Sequence, residues 1–337
     1  MTRTRAPALL LVTPYLADAN NGNWRTAARW ARLLSPHFRV IVQAASAPVA
    51  SGSAASAVAM IALHARRSHA AIASWRASMP GRPHAVVLTG TDLYRDRPDG
   101  DPDTLDSIAH ADQLIVLQDD ARMQLSLAQR RRTRVVFQSA RTLRPWPHKP
   151  QDRLHCVLVA HLREEKDPGT AFAAWRMLPP DLPATLTVIG AALDPALGRA
   201  ARDLAAADPR VQWLGPRMHP WTRQAIKRAH LLVVPSRMEG GANVVVEAVT
   251  AGTAVLGSRI SGNVGMLGTD YEGYFAVGDA AGLAALVTRC SAERALLRQL
   301  EHQCGARSPL FTPRAEAAAL QESVNAMLLA SRTRITL

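Results

Sequence analysis

Lysine is nearly missing from this sequence: of its 40 basic residues, only Lys149, Lys166 and Lys227 are lysine. Cysteine is as scarce. Cys156, Cys290 and Cys304 are odd in number, lie far apart and form no Cys-x-x-Cys pair, which argues against a disulfide framework and a zinc knuckle. The three thiols read as packing residues. Aromatic residues make up only 5% of the chain and no amphipathic membrane helix is evident, so a membrane-contact face is not expected. No apolar run approaches the roughly 18 residues that cross a bilayer. The opening MTRTRAPALLLVTPYL has two arginines, but its apolar stretch ALLLV is too short for a signal peptide and a polar loop follows it. It reads as a first strand, in a cytoplasmic protein without stable membrane insertion.

The chain does have charge and length. A net charge of +13 is compatible with nucleic acid or a small anion as partner. The arginines are spread evenly through an Ala-rich chain, as an overall coding bias would spread them, so no nucleic-acid partner is expected. At 337 residues with 48% hydrophobic content, the chain is long for one core and suits two domains.

Short β-branched runs alternate with longer helical stretches, the pattern of parallel sheets covered by helices. Six candidate strands fall in the first half: 8–13, 39–44, 58–63, 84–90, 113–118 and 134–139. Six fall in the second: 154–160, 184–190, 210–215, 230–236, 253–258 and 273–277. The fold class is therefore α/β, with two Rossmann-like domains. Domain limits are set at 1–145 and 146–312, with the Pro-rich stretch RTLRPWPHKPQDR (141–153) as a semi-rigid linker. Residues 313–337 read as a terminal helix able to pack on either domain. In two open parallel sheets, ligands gather at the carboxyl ends of the strands, here facing a shared cleft.

Chemistry concentrates in PSRMEGGANVVVEA (235–248). A buried strand ends at Pro235, Gly240 and Gly241 permit a sharp turn, and a helix follows with Asn243 as its cap and Gly252 as its end. Backbone amides at the turn, from Gly240 to Asn243, favour a phosphate or hydroxyls. Glu239 and Glu247 are placed on one side of about two turns. A carboxylate accepts paired hydrogen bonds from vicinal hydroxyls, which a nucleotide sugar carries at both ends. The same spacing also suits a solvated helix face with a capping acid.

This stretch resembles the Glu-x7-Glu signature of the retaining GT-B glycosyltransferases of family 4, and the two-domain layout agrees over nearly the whole chain. The resemblance implies that Glu239 and the amides after it hold the donor sugar and that Glu247 holds the ribose. In VAHLREEKDP (159–168) the family carries an arginine and, five positions on, a lysine, both directed at the donor diphosphate. Here His161 stands at the first position and Lys166 at the second, with Arg163 a substitute between them. Lys166 stands out in a chain that otherwise writes arginine, and a compact point charge suits a diphosphate; a solvated helix start is the plainer alternative. The loop TPYLADANNGNWRT (13–26) is similar to the family's Gly-rich loop but holds one glycine, which makes Gly22 and Asn23 candidate donor contacts.

Acceptor contacts are sought at three other strand ends. HARRS offers His64, Arg66 and Arg67; TGTDLYRD offers Thr91 and Asp92; SRISGNVGMLG offers Asn263, where the family usually has an acid. The first two stretches equally suit simple helix capping. Together LTGTDLYRD, AHLREEKDP, EGGANVVVEA, SGNVGMLG and YEGYFAVGD resemble the selenosugar synthases of selenoneine biosynthesis. That resemblance implies transfer of N-acetylglucosamine from UDP-GlcNAc to selenophosphate, forming a carbon–selenium bond, and a functional link to a selenophosphate synthetase. Glu239, Lys166 and Arg163 would carry the chemistry. No Asp-x-Asp pair stands at a strand end, so no metal and no other cofactor is expected. Two alternatives stay open: a family-4 enzyme with a lipid or saccharide hydroxyl as acceptor, and a non-catalytic nucleotide-sugar or nucleic-acid binding protein.

Overall fold

The computed structural model describes residues 6–16, 22–49 and 51–335. Two compact units divide the chain: residues 1–138 with 313–337, and residues 139–312.

The first unit holds six parallel strands, β1 (Ala8–Thr13), β2 (Arg39–Ala44), β3 (Ala57–Leu63), β4 (His84–Val87), β5 (Gln113–Val116) and β6 (Thr133–Val135), in the order β2-β1-β3-β4-β5-β6. Helices α1 (Gly22–Leu34), α2 (His69–Ser78), α3 (Pro102–His110) and α4 (Leu127–Arg131) lie between them in sequence. Both faces of the sheet are covered, which explains why its strands read as nearly unbroken apolar runs. Leu10, Val12, Met60, Ala62, Val86 and Leu114 fill one face, and Leu9, Leu11, Ile61, Leu63, Val87 and Ile115 fill the other.

The second unit repeats the plan with β7 (Leu154–Val159), β8 (Ala184–Ile189), β9 (Val211–Trp213), β10 (Leu231–Val234), β11 (Ala254–Ser258) and β12 (Tyr274–Phe275), ordered β12-β11-β10-β7-β8-β9. Helices α5 (Pro168–Met177), α6 (Pro195–Ala207), α7 (His219–Arg228), α8 (Asn243–Val249), α9 (Ser261–Leu267), α10 (Ala280–Ala292) and α11 (Arg294–Arg307) connect and follow them. The order reverses between β7 and β10, and such a reversal opens a crevice at the carboxyl ends of the two strands. In the first unit the corresponding reversal lies between β1 and β3.

All twelve strands expected from sequence are present, six of them ending two to four residues early at the carboxyl side. The linker expectation needs correcting. The first unit ends at residue 138 rather than 145, and the Pro-rich stretch packs on the second unit. The Ala140 N–H donates to the Phe311 carbonyl at 3.1 Å and the Leu143 N–H to that of Thr250 at 2.9 Å. The Trp146 ring carries Lys227 at 5.4 Å and Arg228 at 5.1 Å. The terminal helix α12 (Pro313–Ile335) returns to the first unit and lays Leu320, Val324 and Met327 on the face lined by Trp30 and Leu34. Cys156, Cys290 and Cys304 are buried free thiols. Burial pushes Cys290 up to about 12 and Cys304 up to about 11, so both stay protonated and inert near neutral pH. Among the described residues no helix is long and apolar enough to cross a membrane.

Candidate active site

The two strands at the reversal of the second sheet supply the central pair of acid and base. After β7 the chain makes one tight turn at Glu164–Lys166, then enters the left-handed region at Asp167 (φ 44°), whose carboxylate caps α5 through the Thr170 N–H and hydroxyl. That turn swings Lys166 toward the end of β10, where its Nζ meets Glu239 Oε1 at 2.6 Å. Glu239 is 7% exposed, and the same oxygen also accepts from Ser236 Oγ at 2.7 Å.

Glu239 does not share a helix with Glu247. It sits in the loop after β10, and α8 begins only at Asn243, with Ala242 rather than Asn243 in the capping position. The loop is held from beneath: Ser258 Oγ donates to the Ser236 carbonyl at 2.5 Å, and Asn263 Nδ2 donates to the Ser258 carbonyl at 2.9 Å. A side chain at Gly262 would stand 2.0 Å from the Glu239 carbonyl oxygen, so only glycine lets α9 start against this loop. Asn263 is fully buried in that brace. Its placement as an acceptor contact is therefore corrected: it secures the backbone under Glu239.

Glu247, on α8, is 8% exposed and paired with a residue that sequence reasoning missed. His219, the first residue of α7, reaches Glu247 Oε1 through Nε2 at 2.6 Å and is itself 45% exposed in its side chain. Arg223, one turn further along α7, lies close enough for Glu247 to oppose the lowering that burial imposes on its guanidinium. A lone histidine before a proline carries no signal of this role, and only the register of α7 against α8 reveals it. Arg237, also overlooked, lies within the quoted motif. Its Nε is 3.2 Å from Asp167 Oδ2, and its N–H donates to the Glu165 carbonyl at 2.9 Å.

His161 and Arg163 are exposed at the end of β7. His161 Nδ1 accepts from the Ala191 N–H at 3.2 Å, and Arg163 Nε is 3.7 Å from Glu165 Oε2. Gly240, Gly241 and Ala242 form the turn between Glu239 and α8. Gly22 and Asn23 are the first two residues of α1 rather than part of a loop. The preceding Asn20 and Asn21 lie outside the described residues.

In the first unit the structure brings together most of the remaining candidates. β3 is followed by His64, held at φ 72°, and the chain after β4 enters a π-helical turn at Asp92–Asp96. His64 Nδ1 is 2.6 Å from Asp92 Oδ1, and His64 Nε2 is 3.0 Å from Thr91 Oγ1. Asp92 Oδ2 accepts from the Thr89 N–H and hydroxyl at 2.8 and 2.9 Å. His64 and Asp92 are almost wholly buried and Thr91 is partly exposed, so the first two stand behind the third instead of lining a surface as expected. Arg66 turns back onto Asp96 at 3.4 Å and Asp101 at 3.2 Å. Arg67 is exposed and stacks on the Tyr15 ring at 5.5 Å.

Residues 153–293 match the family model described as glycosyl transferases group 1. No curated protein sequence matches the chain. Among solved structures, HepE of Anabaena in complex with UDP and glucose is similar over 95% of this chain and 100% of its own, with a TM-score of 0.74 at 15% identity. Sucrose-phosphate synthase of Thermosynechococcus elongatus gives 0.75 at 17% identity, covering 96% of this chain and 100% of its own. The lipopolysaccharide outer core galactosyltransferase WaaB gives 0.69 at 13% identity, covering 95% and 99%. The architecture is the GT-B fold, and the match to the glycosyl transferases group 1 model falls within the second unit. The protein is an enzyme, a glycosyltransferase.

Proposed function

We propose that the enzyme takes N-acetylglucosamine from UDP-GlcNAc and transfers it to selenophosphate with formation of a carbon–selenium bond. The observation that carries the donor half is the ion pair between Lys166 and Glu239 at the β7/β10 reversal. It sets a cation for the departing diphosphate next to an acid for the sugar hydroxyls, on a rigid brace. Glu247 would take the ribose hydroxyls and share them with His219. Arg163 and Arg237 add positive charge on the same strand ends, so the charge on the diphosphate is met by the chain's own groups, without metal or cofactor. Solved complexes of HepE with UDP and with UDP-glucose support a nucleotide-sugar donor.

The acceptor half leans on the stretches quoted from the sequence and on chemistry. Selenium in selenophosphate is already nucleophilic, so the enzyme has to gather and orient two anions more than activate a weak nucleophile. A selenophosphate synthetase would supply the acceptor, in the cytoplasm. The test is release of UDP from UDP-GlcNAc by the purified protein, with mass spectrometry of the product. UDP release that requires selenophosphate and yields a selenium-bearing sugar supports the assignment. Turnover with an alcohol and none with selenophosphate moves it to the second reading, a hydroxyl acceptor, which one observation favours: the Thr91–His64–Asp92 chain is able to receive a hydroxyl proton.

A further inference from the structure

Three side chains at the carboxyl edge of the first unit form a single line from a partly exposed hydroxyl to a buried carboxylate. We infer that Thr91, His64 and Asp92 are a proton relay for the acceptor, with Thr91 touching the acceptor's proton-bearing oxygen and His64 acting as the positioning and proton-holding residue behind it. This inference rests on the reading of the ends of β3 and β4 as acceptor contacts.

The tautomer follows from the contacts. Asp92 already accepts from the Thr89 N–H, the Thr89 hydroxyl and, at 3.4 Å, the Arg66 N–H. A carboxylate placed among donors takes one more from His64 Nδ1 at 2.6 Å. The Arg67 N–H also faces Nδ1, but at 3.4 Å; the shorter, charge-assisted contact decides that Nδ1 carries the proton. Nε2 is then the accepting nitrogen, and Thr91 Oγ1–H donates to it at 3.0 Å. Thr91 thus turns its lone pairs outward, toward a group that brings a proton: the O–H of an alcohol or the P–O–H of a hydrogen selenophosphate.

The backbone supports a placed function. His64 and Asp167 are the two non-glycine residues with positive φ among the described residues, and the left-handed region costs such a residue about 1 kcal/mol. The π-helical turn adds one residue to the coil and brings Asp92 and Asp96 inward together. His64, Asp92 and Asp96 offer three metal-type ligand atoms within 4.8 Å of one another. Both ring nitrogens are engaged, however, and Arg66 Nη1 and Arg95 Nε lie 3.4 and 3.1 Å from Asp96 Oδ1, so the cluster is arranged for a proton and not for a cation.

The step balances. The acceptor atom bonds to the sugar carbon as the bond from that carbon to the diphosphate oxygen breaks, and the electron pair leaves with UDP. The acceptor's proton passes to Thr91 Oγ1 while the Thr91 proton passes to His64 Nε2.

His64→Asn is the discriminating variant, because asparagine tolerates positive φ and keeps an N–H for Asp92 but has no accepting nitrogen toward Thr91. With an alcohol acceptor its kcat should fall about 100-fold with the KM for the donor unchanged; with selenophosphate, whose reacting selenium carries no proton, the fall should be smaller. His64→Gly, which accepts the same backbone geometry, should regain turnover with added imidazole, and Thr91→Ser should keep most of what Thr91→Val loses. Wild-type kcat in His64→Asn overturns the relay. Selenophosphate and an alcohol are supplied in parallel, so that a wild-type enzyme active only with the alcohol retires the selenophosphate reading and leaves the relay to be measured there. Nitrogen NMR of the intact protein gives a readout free of any acceptor: protonation at Nδ1 of His64, lost in Asp92→Asn, is expected, and a ring protonated at Nε2 alone overturns the inference.

Discussion

At the scale of single residues, each of the two signature acids has its own base. Lys166 closes on Glu239 and His219 on Glu247, so a donor that enters must share or displace these partners. The two acids should fail differently. Removing one partner of a charged hydrogen bond costs about 1.5–3 kcal/mol, or roughly 10- to 100-fold in affinity. Glu247→Ala should therefore raise the Kd for UDP by that factor, as calorimetry would read it. Glu239→Ala should lower kcat more than it weakens UDP. Equal and negligible effects would show that the pairs are structural. The sequence made Glu239, Glu247 and Lys166 legible because glycines, a strand end and a lone lysine surround them. It hid His219, whose only mark is its contact across α7 and α8, and it misplaced Asn263, because a polar residue after a strand looks the same whether it faces solvent or props a loop.

At the scale of elements, the strands were legible almost completely, since burial on both faces leaves apolar runs that turn chemistry bounds cleanly. Half of their carboxyl ends were not, because stretches such as LTG carry no charge to mark where the ladder stops. The amino ends of β7 and β10 carry a different feature. His230 accepts from the His155 N–H through Nδ1 at 2.9 Å, and its side chain is buried. Burial, helped by the charges of Lys149, Arg294 and His155, pulls it from 6.5 down to about 4. Between these values the unfolded chain binds a proton that the folded chain refuses. The stability contributed by neutral His230 is thus complete above pH 6.5 and is lost as the pH falls toward 4, by up to about 3 kcal/mol. Thermal unfolding across that window should show a steep decline in the wild type and a shallower one in His230→Gln. Parallel curves would mean that His230 is not the group responsible.

At the scale of the whole molecule, the chain finishes its first unit last. The sequence identified 313–337 as a terminal helix but left open which unit receives it, because a helix with apolar residues on several sides does not name its partner. The structure answers through one buried acid: Glu316 Oε1 accepts from Trp30 Nε1 at 2.7 Å and Glu316 Oε2 from Arg29 Nε at 2.8 Å. Ser323 Oγ also donates to Gln113 at the start of β5, at 2.5 Å. Leu320, Val324 and Met327 are all but fully buried on the same face. At about 1.5–3 kcal/mol for each such side chain, removing the helix exposes surface worth roughly 5–9 kcal/mol, against a total of about 5–15 kcal/mol for a typical domain. A chain that stops at Thr312 should therefore lose the unfolding transition of the first unit while the transition of residues 139–312, which contain the donor-site pairs, persists. Calorimetry of the shortened chain, with UDP added to mark the second unit by its ligand-dependent rise, separates the two. Survival of a first-unit transition at its original temperature would show that the helix decorates that unit rather than completing it.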